Sequence, residues 1–303
     1  PQDFVFGPGD LIYVISRGVE EIGQRITRVT RDHEFLGQFG ASGRGDGQFV
    51  WPRSIDLDSE GNVYASDDFL HRISVFDKDG AFLSSWGTNG SKEGELNGPS
   101  GIAFDSDDNI FVVDSANNRI QKFTKDGSFI GSFGQEGQGD GELNLPWGIC
   151  VGPDGGVYVA DWKNNRVQKF DSEGRFQVMF QGAETGVGDL HGPTGVAVDS
   201  EGDVYVTDWG NHRVQIYAAD GHFVTTLVGD AQTPSPWTQT YIDANPDIVK
   251  ARRRANMEPE WRFRRPVAVN VDANDSIFIL ETARHRLQVY DKVKDYEEHS
   301  LNL

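Results

Sequence analysis

One cysteine, Cys150, and two methionines are all the sulfur that this 303-residue chain carries. A lone cysteine excludes an intrachain disulfide framework, although it does not fix the compartment. No stretch approaches the 18 or more apolar residues of a membrane helix, and no signal-peptide pattern is read at the start. The sequence opens at Pro1 without a methionine, which leaves the compartment open between the cytoplasm and export after removal of a signal. Positive charge is also scarce: Lys and Arg number 28 against 47 Asp and Glu, a formal net charge of −19. Phosphate backbones repel such a body, so generic nucleic-acid binding is disfavoured unless a local basic patch acts. What the chain has in plenty is glycine, 36 residues, and phenylalanine, 19, a composition suited to many short strands joined by tight turns.

An internal period organises the sequence. An acidic residue ends a short hydrophobic run at Asp67 (NVYASD), Asp114 (NIFVVD), Asp161 (GVYVAD) and Asp208 (DVYVTD), each 47 residues after the last. Glu281 (SIFILE) is the next equivalent, after a longer gap, and Ser16 (DLIYVIS) is the first, which makes six units. Each unit shares one grammar. A proline opens strand a (PRSIDLD, PSGIAFD, PWGICVG, PTGVAVD, PVAVNVD), and a turn such as DSEGN or GPDGG leads to strand b. Strand b ends at the acidic position, and strand c begins at His71-Arg72, Asn118-Arg119, Asn165-Arg166, His212-Arg213 or His285-Arg286. A DKDG-like hairpin then leads to strand d. Four period-two strands per unit, repeated radially, predict an all-β fold: a six-bladed β-propeller of four-stranded antiparallel blades in a single domain, residues 1–303. The final strand d is expected in YEEHSLNL.

The strings at 161–167, Asp-Trp-Lys-Asn-Asn-Arg-Val, and at 208–214, Asp-Trp-Gly-Asn-His-Arg-Val, resemble the NHL repeat signature, and that resemblance implies a ring of six sheets around a central channel. LIYVISRG (11–18) is also similar to the first-blade strand of peptidyl-hydroxyglycine amidating lyases, which would give Arg17 the place of their catalytic arginine. That family holds zinc with histidines directly after the strand-a proline in alternate blades. Here those places are Arg53, Trp147 and Val267, none of which offers an imidazole. The family's catalytic tyrosine has no counterpart in DSANNR (114–119). A distant relationship without the zinc chemistry is the reading, and no metal or cofactor is expected.

Six internal copies separate scaffold from site. The recurring acid and the arginine five residues later read as a strand b to strand c pair contributing about 0–1 kcal/mol. Cys150 stands in the slot of Ala103 and Ala197 and reads as a small core residue. Residues found in single blades gather at one end of the channel, because strands a and b are antiparallel. They are Arg17, Arg53, Asp68, Trp147, Trp162 and Trp209, a set suited to an anionic or aromatic ligand. Between the fifth and sixth units lies an insertion, 231–264, with six basic and four acidic residues. Asn245-Pro246 is read as a helix start. The insertion emerges at the same end, and its Trp237, Tyr241, Arg252, Arg253, Arg254 and Trp261 are candidates for a lid. The expected function is a module binding a protein or small ligand at the mouth, the alternative being a non-zinc enzyme of lyase or hydrolase type at the same place.

Overall fold

The computed structural model describes residues 1–18, 23–182 and 188–292. Five four-stranded antiparallel meanders and a sixth sheet follow one another along the chain. Strands a to d are Asp3–Phe6, Leu11–Ser16, Arg25–Thr30 and Phe35–Phe39 in blade 1; Pro52–Leu57, Val63–Asp67, Arg72–Phe76 and Phe82–Trp86 in blade 2; and Pro99–Phe104, Asn109–Asp114, Arg119–Thr124 and Phe129–Phe133 in blade 3. Blade 4 has Ile149–Val151, Val157–Asp161, Arg166–Phe170 and Phe176–Phe180; blade 5 has Pro193–Val198, Val204–Asp208, Arg213–Tyr217 and Phe223–Leu227. Strands a to c of blade 6 are Pro266–Val271, Ser276–Glu281 and Arg286–Asp291. The strand expected at YEEHSLNL lies outside the described residues. Together the sheets form the six-bladed propeller that the repeat predicts.

Burial shows why the period-two pattern closes a ring. Both faces of each inner strand are covered, and six hydrophobic clusters fill the six seams between neighbouring blades. One example joins Tyr64, Ile73 and Val75 of blade 2 to Ile102, Ile110, Val112 and Phe123 of blade 3. The ring-closing seam packs Phe4 and Ile12 of blade 1 against Val267, Ala268, Phe278 and Leu280 of blade 6. Each such side chain contributes roughly 1.5–3 kcal/mol when fully buried. The Arg31–Asp272 ion pair crosses the same seam. Among the described residues, the first and last blades are thus joined by side-chain packing and this ion pair.

The recurring acid does more than pair with one arginine, which corrects the weak-pair expectation. Asp161 is fully buried. It accepts hydrogen bonds from Arg166 Nε at 2.9 Å, Asn164 Nδ2 at 2.8 Å, Gln168 Nε2 at 3.4 Å and the backbone N–H of Asn144 at 2.7 Å. Arg166 in turn donates to the carbonyls of Gln138, Gly139 and Glu142 in the preceding connection. Acid and arginine thus bind strands b and c to the loop that delivers the chain into the blade. Blades 3 and 5 repeat the core of this arrangement around Asp114 and Asp208.

Strand c starts one residue later than the sequence suggests, at the arginine itself. The residue before it turns through the left-handed region in every blade from the second on: His71, Asn118, Asn165, His212 and His285 have φ between 52° and 58°. Its side chain reaches the next blade. Asn118 Oδ1 accepts from Leu145 N at 2.7 Å, Asn165 Oδ1 from Gly192 N at 2.9 Å, and the Nδ1 atoms of His71 and His212 accept from Gly98 N and Arg265 N. Asparagine serves here because it tolerates this backbone and carries an acceptor.

Close contact between inner strands sets the channel's width. At Gly148 an added Cβ would stand 2.3 Å from the Thr194 carbonyl oxygen, and at Gly101 2.7 Å from that of Trp147. In blades 3 to 5 the Pro-x-Gly pattern thus permits adjacent blades to meet at the axis and leaves the residue between proline and glycine at the channel's end.

Candidate functional site

The channel encloses a cavity of about 230 Å³ lined by strand a of all six blades, with Arg53, Ser100, Trp147, Thr194 and Val267 each following the strand-a proline. The three places that would carry zinc histidines, Arg53, Trp147 and Val267, do line the channel. Their side chains offer a guanidinium, an indole and an isopropyl group. Among the described residues, no group of three or more His, Cys, Asp or Glu side chains is arranged to hold a metal.

Most of the singular residues meet. Arg53 donates from Nε and Nη2 to the same carboxylate oxygen of Asp68, at 3.0 and 2.7 Å. Its guanidinium lies 4.4 Å from the centre of the Trp147 ring. Trp147 meets Trp162 edge to face at 5.6 Å, and Lys163 covers the Trp162 ring at 4.4 Å. Gly192 lets Trp162 lie against the backbone, since a Cβ there would stand 2.7 Å from the indole nitrogen. Arg17 stacks over Trp51 at 4.3 Å. Partial burial and the neighbouring Arg53 cation lower its pKa from the usual guanidinium value. The Asp68 carboxylate, ion-paired with Arg53, and that of Asp67 oppose this shift, so two guanidiniums and two carboxylates gather at the mouth. Trp209 stands apart under Arg265, at 4.8 Å.

The insertion forms three helices, α1 (Pro236–Asp243), α2 (Pro246–Arg252) and α3 (Glu258–Trp261). The predicted helix start at Asn245-Pro246 is present, although the Asn245 side chain donates to the Tyr241 carbonyl rather than capping α2. α1 was not anticipated. Its signal is Ser235-Pro236, with Ser235 Oγ accepting from Thr238 N. The segment is anchored by the same contacts that hold the other connections: Arg286 donates to the carbonyls of Glu260, Trp261 and Arg262, and Arg284 to those of Pro259, Glu260 and Arg262. Tyr241, Arg253 and Arg254 are exposed, Arg252 pairs with Glu260 at 2.7 Å, and Trp261 is half-buried at the end of α3. Trp237 belongs to α1, and its side chain falls outside the described set. Among the described residues, none of those lining the channel comes from 231–264.

Sequence reasoning missed the channel's interior. Cys150 lines the cavity as well as packing beside the core, and burial pushes its thiol pKa well up. Asp3 and Asp56 line it too. Asp3 accepts from Ser54 Oγ at 2.6 Å and Ile55 N at 3.2 Å, tying blade 1 to blade 2. Asp56 accepts from Phe104 N at 2.8 Å, tying blade 2 to blade 3. Desolvation raises their pKa values to about 6 and about 7. Comparing blades would have revealed both: Asp3 stands where the others have Ser54, Gly101, Gly148, Gly195 and Ala268, and Asp56 where three have Ala103, Cys150 and Ala197.

The fold defines a six-bladed β-propeller. Three segments, residues 96–123, 143–170 and 190–217, match the NHL repeat family. No curated protein matches the sequence. Among solved structures, the chain is similar to a catalytically inactive virginiamycin B lyase from Staphylococcus aureus determined with quinupristin: 14% identity, TM-score 0.59, covering 96% of this chain and 84% of that one. A streptogramin B lyase gives 14% and 0.60, covering 97% and 84%. A structural-genomics protein of unknown function from Bacteroides thetaiotaomicron gives 17% and 0.62, covering 96% of this chain and 68% of that one. At these identities the likeness is one of fold.

Proposed function

We propose that this propeller is a ligand-binding module whose site is the channel mouth, and that its ligand is a small molecule or protein segment presenting an anionic or aromatic group. One observation carries the reading: Arg53, held by Asp68 and stacked on Trp147, stands beside Arg17 at the end of an enclosed channel. The scaffold does not account for these residues, because the place of Arg53 and Trp147 holds Ser100, Thr194 and Val267 in other blades, and that of Arg17 and Asp68 holds Ser115, Trp162, Trp209 and Thr282. An arginine fixed by a carboxylate and a ring has already lost much of its side-chain freedom, which lowers the entropic cost of engaging a ligand. On this reading the insertion, which joins the ring at the same end, closes over the bound ligand. A thermal-shift panel of organic acids and short peptides on the wild type, Arg53→Gln and Trp147→Ala tests the site. A compound that stabilises the wild type should lose its effect in both variants, and equal stabilisation of all three proteins would refute the mouth as the site.

A second reading, an enzyme at the same mouth, draws support from the lyases that share this fold. Conversion of quinupristin, followed by chromatography and abolished by Arg17→Ala, would favour it over the binding module.

A further inference from the structure

Beside the mouth, blade 2 departs from the repeat in several places at once, and the departures touch one another. The residue before the strand-a proline is Trp51 in blade 2, but Gly98, Leu145, Gly192 and Arg265 in the later blades. Two residues past the acid stands Phe69, where the others have Gly18, Ala116, Lys163, Gly210 and Ala283. In the preceding connection Arg44 takes the place of Ser91 and Gln138. Just past strand b of blade 1 stands Arg17, where blades 2 and 3 have Asp68 and Ser115. Trp51 and Phe69 meet edge to face at 5.5 Å. Arg17 covers the first ring at 4.3 Å and Arg44 the second at 4.9 Å. Both rings remain open to solvent, 41% exposed for Trp51 and 39% for Phe69. Among the described residues, neither arginine is ion-paired.

The scaffold is altered to hold this cluster. In blades 3 to 5 the buried acid takes an arginine Nε and an asparagine Nδ2. In blade 2 Leu70 replaces the asparagine; Asp67 keeps the backbone donor that the other blades share, here Val50 N, and accepts in addition from the backbone N–H groups of Trp51, Phe69 and Leu70. One buried carboxylate therefore fixes the main chain of both exposed aromatics. Arg72 is left to hold the loop that bears Arg44, donating to the carbonyls of Arg44, Gly45 and Gln48. Large exposed rings on a rigid backbone, flanked by guanidiniums that make no ion pair among the described residues, are what a binding surface needs and a scaffold does not.

We propose that Arg17, Arg44, Trp51 and Phe69 form a second binding site, on the rim of blade 2, for a ligand that joins a carboxylate to a planar apolar group. The carboxylate lies between the guanidinium edges, and the planar group covers the exposed face of Trp51 or Phe69. A single negative charge suits the site better than a polyanion, because the chain as a whole is at −19. The carboxylate comes either from a chain terminus or free acid, or from an acidic side chain within a peptide. The site goes beyond the mouth reading and shares only Arg17 with it.

Fluorine NMR of protein labelled with 5-fluorotryptophan tests the proposal, with the Trp51 and Trp147 signals assigned through Trp51→Phe and Trp147→Phe. N-acetylphenylalanine should shift the Trp51 signal saturably if the carboxylate is terminal. Acetyl-Asp-Phe-amide should do so if it is internal. N-acetylphenylalaninamide, lacking the charge, should bind about tenfold more weakly, as should the charged probe to Arg44→Gln or Phe69→Leu. Equal affinity for the acid and the amide would overturn the assignment, as would no shift at Trp51 with either acid, or a Trp51 shift produced by oligouridylate alone. A shift confined to Trp147 would overturn the rim site while supporting the mouth.

Discussion

Replacing Asp161 with alanine isolates the hub that joins strands b and c to the preceding connection. The wild-type carboxylate is fully buried and receives four donors, one of them the Arg166 guanidinium, itself almost wholly buried. Truncation leaves Arg166 without a counterion. Its remaining bonds to Gln138, Gly139 and Glu142 satisfy hydrogens but carry no negative charge. Breaking a buried pair by removing one partner costs about 3–5 kcal/mol. At about 2.1 cal/mol/K per residue, unfolding this 303-residue chain carries an entropy of about 0.6 kcal/mol/K, so the expected fall in Tm is about 5–8 °C. Asp171→Ala is the control, because its partner Arg175 is 77% exposed and such pairs contribute about 1 kcal/mol or less. Calorimetry and urea unfolding on both variants give the comparison. If Asp161→Ala costs no more than Asp171→Ala, the hub is not what holds the connection, and the reasoning fails.

Other expectations follow from the same structure. Asp3 and Asp56 prefer their protons more when folded than when unfolded, so between about pH 4 and pH 7 the native state binds more protons and stability falls as pH rises. Because both line a water-accessible channel, the combined loss is discounted to about 2–3 kcal/mol. Asp3→Asn with Asp56→Asn should flatten that slope in urea titrations at pH 5 and 8, and an unchanged slope would assign it elsewhere. Gly148→Ala should destabilise by more than the roughly 1 kcal/mol typical of a point change, because its Cβ meets a neighbouring blade's carbonyl, and thermal melts would show it. Cys150, its thiol pKa raised by burial, should resist iodoacetamide at pH 8 in the native state and react in urea, as mass spectrometry can follow. The insertion should be cut by trypsin near Arg253 and Arg254, both exposed, and a mouth ligand should slow that cleavage if the segment closes over it.

The propeller was legible because its physics repeats. Strand b ends at a buried acid in five blades, and in four of them the arginine that opens strand c meets it, so the period survives even where Glu281 replaces aspartate. The mouth was legible for the same reason, since Arg53, Trp147 and Asp68 break the pattern where antiparallel strands must converge. What stayed hidden depended on contacts across blades. Nothing near Asp161 in the sequence says that Asn144 will donate to it, or that Asp3 will receive Ser54 from the next sheet. The hub's weight was misjudged because burial, not the identity of the pair, decides whether such a pair is worth tenths or several kcal/mol. The first insertion helix has only Ser235-Pro236 to announce it, a cap without an acidic first turn or a basic last turn behind it.

Blade 2 shows how a repeat protein can build a site without losing its fold. The Asp67 carboxylate keeps its buried place and the backbone donor that the other blades share, while exchanging an arginine and an asparagine for three further backbone donors. That exchange costs the blade its arginine–acid bond and fixes two aromatic positions that no other blade presents to solvent. If the departure were drift rather than construction, restoring the blade 3 pattern with Leu70→Asn, and with Phe69→Ala and Trp51→Gly, should raise Tm and leave every ligand response unchanged. If blade 2 gives up stability for binding, the same substitutions should raise Tm and abolish the response at the rim. Measuring both quantities on one variant separates the two accounts, because the stability gain is common to them and the binding loss is not.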